Sequence, residues 1–297
     1  MKKALIFGSN GQDGVYLMQL LNQLKIDTIG VSRKNAKVVG DVSDFGLVES
    51  LVLQIKPDYI FHLAAVSSTN HRFLFENHAA IATGTINILE AVLLHKPDCR
   101  VFLSGSALQF ENSGIPIKET DAFDPNSAYS LARIHSANAG RYYRNKYGIK
   151  VYLGYFFNHD SPLRNDIHIN QKIVNAVRDI AQGNSKVFKL GNAEVKKEFN
   201  FAGDIVKAVW CLVNQDQVFE ATLGSGIAHP ISEWLDYCFK SYGLEWTQHV
   251  KFESIFKADY DILVSDASTI KSLGWQPRLD IYELADLMLS NTKQQTN

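Results

Sequence analysis

The sequence predicts a doubly wound α/β fold, a parallel sheet covered by helices on both faces, with a smaller C-terminal lobe. Three observations predict it. A glycine-spaced loop, Gly8-Ser9-Asn10-Gly11-Gln12-Asp13-Gly14, sits between a short apolar run and a stretch of helical spacing. Strand-like and helix-like segments alternate through the first half of the chain. The strand-like segments are apolar throughout rather than at every second residue, as strands buried on both faces are.

The first element, Ala4–Gly8, is a compact apolar run ending at glycine. Val15–Leu24 follows with leucines at 17, 20, 21 and 24, a helical spacing. Thr28–Ser32 and Lys37–Val42 read as the second and third strands, and a helix over 44–55 is capped by Ser43 or Asp44. Tyr59–Ala64 is the fourth strand, 79–95 a helix, and Arg100–Ser104 the fifth strand. A helix over 127–147 and a strand over Val151–Phe157 continue the alternation. Beyond residue 158 the pattern loosens into helices near 203–213, 231–241 and 281–290 with short strands, as expected of a substrate lobe. The expected division is a dinucleotide-binding domain over 1–157, joined by return elements at about 198–222, with the lobe built from 158–197 and 223–297. The closing TKQQTN reads as a frayed tail.

Composition narrows the class of function. The 297 residues are 46% hydrophobic and 21% charged, ordinary globular material with enough apolar content for a large core. A net charge of −1 leaves no footprint for nucleic acid. Three scattered cysteines without a CxxC pair suggest a reducing compartment and no metal or disulfide framework. The apolar run behind Lys2 and Lys3 breaks at Gly8, short of the ~7–15 residues of a signal sequence. No segment approaches the ~20 apolar residues of a membrane span, so a cytoplasmic protein is expected.

The loop carries the first chemistry. Gly8 permits the tight turn, Gly11 lets backbone approach a pyrophosphate, and Gly14 lets helix and strand pack closely; the helix N-terminus then offers N–H groups and a positive dipole. Asn10, Gln12 and Asp13 belong to the same cofactor loop. The end of the second strand distinguishes the cofactors. An acidic residue there would bind the ribose 2′-hydroxyl of NAD(H), whereas Arg33 in Ser32-Arg33-Lys34 suits a 2′-phosphate and favours NADP(H) over NAD(H). Asp41 and Val42 close the third strand, where adenine is expected. Ala64 and Ala65 after the fourth strand form a small-residue floor for the nicotinamide half, and Leu63 before them is counted with the cofactor-binding residues.

With these features placed, the chain resembles the extended short-chain dehydrogenases that modify nucleotide sugars, the NAD-dependent epimerase/dehydratase family. More narrowly it is similar to the branch of GDP-mannose 4,6-dehydratase and GDP-4-keto-6-deoxymannose reductase. The likeness is carried by GSNGQDG, KPDYIFHLAA, SAYSLAR, FFNHDSPLR, LGNAEVKKEFNFAGDIVKAVW and LGWQPRL. It implies a Rossmann-type fold, a nicotinamide cofactor, a nucleotide-sugar substrate and a role in making cell-surface polysaccharide. It also implies a homodimer or larger homo-oligomer pairing through helices 79–95 and 127–147.

Carried over residue by residue, the family's hydroxyl, tyrosine and lysine fall on Ser106, Tyr129 and position 133. Tyr129 is then the general acid or base and Ser106 binds the same substrate oxygen. The YxxxK motif, however, ends in Arg133, which keeps the charge and the donors but is bulkier and does not release a proton. A second departure bears on the reaction. The dehydratases place a carboxylate two residues after the hydroxyl, where this chain has Ala107 and then Leu108; Glu111 matches only with a shifted alignment. On the substrate side the resemblance implies Asn158, His159 and Lys197, although His159 reads equally as a packed, hydrogen-bonded neighbour. Phe256 beside Lys257 stands where the family has another nucleotide-side arginine.

The leading expectation is an NADP-dependent reductase of a nucleotide-linked 4-keto-6-deoxy sugar. A 4,6-dehydratase or 4-epimerase on the same scaffold is the alternative, and a catalytically weak relative that binds nucleotide or sugar is a third.

Overall fold

The computed structural model describes residues 1–253 and 258–290. Its strands are β1 (Lys3–Phe7), β2 (Asp27–Ser32), β3 (Val38–Val39), β4 (Tyr59–His62), β5 (Arg100–Ser106), β6 (Lys150–Phe156) and β7 (His159–Asp160). They continue as β8 (Phe188–Leu190), β9 (Lys196–Glu198), β10 (Asn200–Phe201), β11 (Glu220–Leu223), β12 (Ala228–Pro230), β13 (Val250–Phe252) and β14 (Ile262–Leu263). The α-helices are α1 (Gln12–Gln23), α2 (Phe45–Ile55), α3 (Leu74–Asn77), α4 (Gly84–His95) and α5 (Ala128–Tyr147). They end with α6 (Ile169–Ala181), α7 (Ala202–Val213), α8 (Ile231–Lys240), α9 (Ser268–Ser272) and α10 (Ile281–Ser290). No helix among the described residues is long and apolar enough to cross a membrane.

Seven strands form one sheet in the order β11-β6-β5-β4-β1-β2-β3, every pair parallel. The fold is therefore the doubly wound parallel α/β class that the apolar runs predict. The chain moves one way from β1 to β2 and β3 and the other way to β4, β5 and β6. The crevice at the C-terminal ends of β1 and β4 is thus the switch point where ligands of such sheets bind. Alternate residues of one strand feed opposite faces. Leu5 and Phe7 pack with Val48, Ile88 and Tyr143 of α2, α4 and α5, while Ala4 and Ile6 pack with Leu17 and Ile205 of α1 and α7. A third apolar cluster, with Val177, Trp234, Leu235 and Met288, joins α6, α8 and α10.

Several elements differ from their expected bounds. The third strand shrinks to Val38–Val39 because Asp41 Oδ1 captures the backbone N and Oγ of Ser43, each at 2.9 Å, and turns the chain. Asp44, rather than Ser43, caps α2, accepting from Leu47 N at 3.2 Å. The expected helix 79–95 is interrupted, since His78–Thr83 form a wider, π-helical turn ahead of α4. That turn brings Ala80 to the wall of a cavity at the ends of β1 and β2. Helix α6 was not anticipated, and the TKQQTN tail lies outside the described residues.

Two buried carboxylates bind the remaining segments together. Asp204, at the start of α7, accepts from Arg278 N at 2.8 Å while its carbonyl accepts from the Trp275 indole at 2.9 Å. This contact gives the LGWQPRL motif its anchor. Glu198, at the end of β9, accepts from the backbone N of Ser225 and of Ser265, both at 2.6 Å.

Candidate active site

The site lies at the C-terminal ends of the central strands and consists of two adjoining cavities that share Leu63. The smaller, about 170 Å³, is lined by Gly8, Gly11, Ser32, Arg33, Asp41, Val42, Leu63, Ala64 and Ala65, among others. Most of the expected cofactor residues therefore meet in one place. Gly8 has φ +90°, and a Cβ there would stand 2.7 Å from Ala64 N; a Cβ on Gly14 would stand 2.4 Å from Gly8 O. Neither position admits a side chain. Gly11 precedes α1 as its N-cap and brings no side chain, which leaves the helix's first N–H groups without a competing side-chain acceptor. The residues present fit a dinucleotide.

Three loop residues turn elsewhere. Asn10 Nδ2 donates to Lys34 O and to Asn35 O (3.0 Å), fastening the loop to the segment behind β2. Gln12 Oε1 accepts from Ser161 Oγ at 2.7 Å, and Asp13 faces the other cavity. Asp41 spends its carboxylate on the Ser43 turn while its residue still lines the cofactor cavity. Arg33 is exposed at the rim.

The larger chamber, about 210 Å³, gathers Ser106, Leu108, Tyr129, Arg133, Asn158 and His159 from three stretches of the chain. The capping pair Ser127 and Ser130 fixes the start of α5, and Tyr129 lies in its first turn. The Tyr129 ring packs with Ile81, Ala132 and Ala65. One turn on, the Arg133 guanidinium carbon lies 5.1 Å from the centre of that ring. Arg133 is 4% exposed; its Nη1 donates to the carbonyl of Ser104 and, at 2.8 Å, to Ser104 Oγ. Ser104 Oγ in turn donates to His62 O at 2.8 Å, so the ends of β4 and β5 hold the arginine. His62 beneath it is pushed down to about 4 by burial and by the Arg133 charge, and stays neutral.

Ser106 ends β5; its Oγ accepts from Leu108 N at 3.2 Å and its N–H donates to Gln109 Oε1 at 2.9 Å. This capping box points the next residues around the chamber. Leu108, half-buried, lines the wall, while Glu111 is exposed and does not. Asp13 is the one carboxylate among the described lining residues, and it is paired with His159 (Nε2 to Oδ1, 2.9 Å).

The substrate-side residues separate. Asn158 lines the chamber, and its carbonyl accepts from Asn200 Nδ2 at 2.9 Å. His159 lines it too, but both ring nitrogens are occupied, so it takes the packed, hydrogen-bonded role. Lys197 is buried in the wall of a neighbouring cavity of about 340 Å³, which Lys172 and Lys189 also line. Burial pushes its ammonium down to about 8, with Asp160 acting the other way. Phe256 and Lys257 lie outside the described residues.

Sequence reasoning passed over Arg164, His168 and Tyr260, which also line the chamber. Arg164 pairs with Asp160 Oδ1 at 3.1 Å and its Nη2 lies 3.1 Å from His168 Nδ1. The signal for Arg164 was present in FFNHDSPLR, six residues beyond Asn158. Nothing local marks Tyr260. No group of three or more potential metal ligands occurs among the described residues.

Comparison with known proteins assigns the family and the fold. Residues 5–288 match the family model described as GDP-mannose 4,6 dehydratase. GDP-mannose 4,6 dehydratase 1 of Arabidopsis thaliana is 31% identical, over 97% of this chain and 89% of its own length. Among solved structures, RMD from Pseudomonas aeruginosa complexed with NADPH superposes with a TM-score of 0.86 at 17% identity, covering 98% of both chains. The dTDP-glucose 4,6-dehydratase of Bacillus anthracis in complex with NAD gives 0.85 at 15% identity, covering 98% of this chain and 97% of its own.

Proposed function

The chain belongs to the GDP-mannose 4,6-dehydratase family, and from that premise we propose that it is a nicotinamide-dependent enzyme acting at carbon 4 of a nucleotide-linked hexose, as a reductase of the 4-keto-6-deoxy sugar. One observation carries the choice of reductase. Eliminating water across carbons 5 and 6 requires a base for the carbon 5 proton. The chamber offers Leu108 where the family has its carboxylate, and its remaining acid, Asp13, is tied to His159. The comparisons favour the dehydratase alternative: the matching family model is described as GDP-mannose 4,6 dehydratase, and the curated relatives, such as the Arabidopsis protein, carry that name.

When bound, the nicotinamide supplies hydride to carbon 4. Tyr129 donates the proton to the substrate oxygen, Ser106 orients that oxygen, and Arg133 holds the tyrosine ring and offers donors to the nicotinamide ribose. The nucleotide diphosphate is assigned to Asn158, Arg164 and the lysine-lined cavity of Lys197. The dinucleotide-binding part is assigned to 1–157 with 198–222, and the substrate lobe to the rest, a division supported by the separate core of α6, α8 and α10. A homodimer through α4 and α5 is supported by the exposure of Leu94, Leu131 and Tyr142. A cytoplasmic setting completes the reading.

Incubation with NADPH and a panel of GDP-, dTDP- and UDP-4-keto-6-deoxyhexoses tests it, with the reduced-nicotinamide absorbance as readout. Loss of that absorbance with one donor is expected. Water loss from an intact nucleotide hexose, seen by mass spectrometry, would establish the dehydratase instead, and silence in both assays the non-catalytic relative. NADP(H) is assigned over NAD(H) from Arg33 at the cavity rim. Arg33→Ala is expected to weaken NADPH binding roughly tenfold or more, the worth of one charge-assisted hydrogen bond, and NADH binding by less than about twofold. Equal effects on the two, measured by fluorescence titration, would remove that assignment.

A further inference from the structure

The proposed reaction uses neither Asp13 nor His159, yet the two form a close ion pair in the wall of its chamber. His159 Nδ1 lies 2.8 Å from Phe157 O and its Nε2 lies 2.9 Å from Asp13 Oδ1. A carbonyl oxygen only accepts, so Nδ1 donates to Phe157; with Asp13 ionised, Nε2 donates as well, and the ring is then an imidazolium. Burial opposes both charges, but the pairing outweighs it. His159 is held above the usual histidine range and Asp13 below the usual carboxylate range. Of the other groups facing the ring, Arg164 is a cation that acts against the charge; Gln12 Nε2 lies 3.5 Å from His159 O, and the Phe156 ring meets the imidazole edge-on at 5.2 Å. His168, pushed down to about 4 by burial and then by Arg164, is neutral.

The position of the pair gives it a role. Asp13 stands in the first turn of α1, the end that carries no side-chain cap and offers N–H groups and dipole to phosphate. A bare carboxylate there would repel a pyrophosphate. The partner that cancels it comes from the segment after β6, which reaches the same turn a second time through Ser161 and Gln12.

We propose that His159 is a positioning residue for the cofactor: as an imidazolium it neutralises Asp13 in the phosphate-binding turn and ties that turn to the substrate-side segment 158–164. The inference rests on the nicotinamide-cofactor reading above. It distinguishes the two partners. His159→Gln leaves an unpaired carboxylate in the first turn of α1, whereas Asp13→Asn leaves a neutral, still hydrogen-bonded pair.

NADPH titration of wild type, H159Q, D13N and the double variant tests it, with thermal unfolding as a control for folding. H159Q is expected to weaken binding about thirtyfold, D13N by less than about threefold, and D13N/H159Q to return to within about threefold of D13N. Wild-type affinity in H159Q, or a double variant no tighter than H159Q, would overturn the proposal, because a merely structural pair gives no recovery. The wild type supplies an independent reading through ring ¹⁵N–¹H correlation at neutral pH. Two protonated ring nitrogens are expected, and a neutral ring sinks the inference even where a variant fails to fold. Wild-type protein that binds neither NADPH nor NADH would instead sink the cofactor reading itself.

Discussion

Tyr129→Phe is expected to lower kcat for keto-sugar reduction by about a hundredfold to ten-thousandfold, the usual contribution of a positioned general acid. The substitution removes one hydroxyl and leaves the ring. The ring is what the fold uses: it packs against Ile81, Ala132 and Ala65, and the Arg133 guanidinium stacks 5.1 Å from its centre. Stability should therefore change by less than about 1 kcal/mol, as for substitutions that leave packing intact. The loss should fall on kcat rather than on the KM for the sugar, because the proton is delivered only as the new hydroxyl forms. Retention of more than a tenth of wild-type kcat, measured at saturating NADPH, would show that another group protonates the oxygen. The assignment of Tyr129 would then fail even though the chamber were correctly located.

What could be read in the chain follows how local each signal is. The loop from β1 into α1 is legible because turn, phosphate approach and helix packing each demand glycine within seven consecutive residues, Gly8 to Gly14. Tyr129 and Arg133 are legible because one helical turn places them on one face of α5. Leu108 is informative for the same reason: Ser106 caps its own turn and fixes where the second residue after it points. The Asp13–His159 pair is not legible, since its partners stand 146 residues apart and each alone passes for a loop acid or a packed histidine. The interrupted helix before α4 and the short β3 escape for a different reason. The first has no sequence mark at all, and the second stops early at Gly40, where the Asp41 carboxylate accepts from Ser43 two residues on and turns the chain.

Glu198 yields the largest expected loss of stability, and it stands beside the site rather than in it. Its Oε1 accepts from Ser265 N and Ser265 Oγ, both at 2.6 Å, and its Oε2 from Ser225 N at 2.6 Å, Asn200 Nδ2 at 2.9 Å and Ser225 Oγ at 3.2 Å. The carboxylate fits so closely that a Cβ on Gly224 would lie 2.3 Å from Oε2. Glu198→Ala strands these buried donors, two of them backbone N–H groups whose loss of a partner costs about 1–3 kcal/mol each. The expected loss is about 4 kcal/mol or more, read by urea unfolding, with the thermal midpoint falling by roughly 8–16 °C at this chain size. Glu198→Gln separates charge from geometry. Its amide NH₂ must replace one oxygen and so faces a backbone N–H whichever way it turns, at a cost of about 2–3 kcal/mol. A stability within about 1 kcal/mol of wild type for either variant would show that this hub does not hold the lobe in place. Because Lys197 precedes Glu198 in β9, loosening the hub should also weaken nucleotide binding in the lysine-lined cavity while Tyr129 and Arg133 keep their positions on α5. Loss of affinity for the nucleotide sugar should therefore accompany the loss of stability, with NADPH binding largely retained.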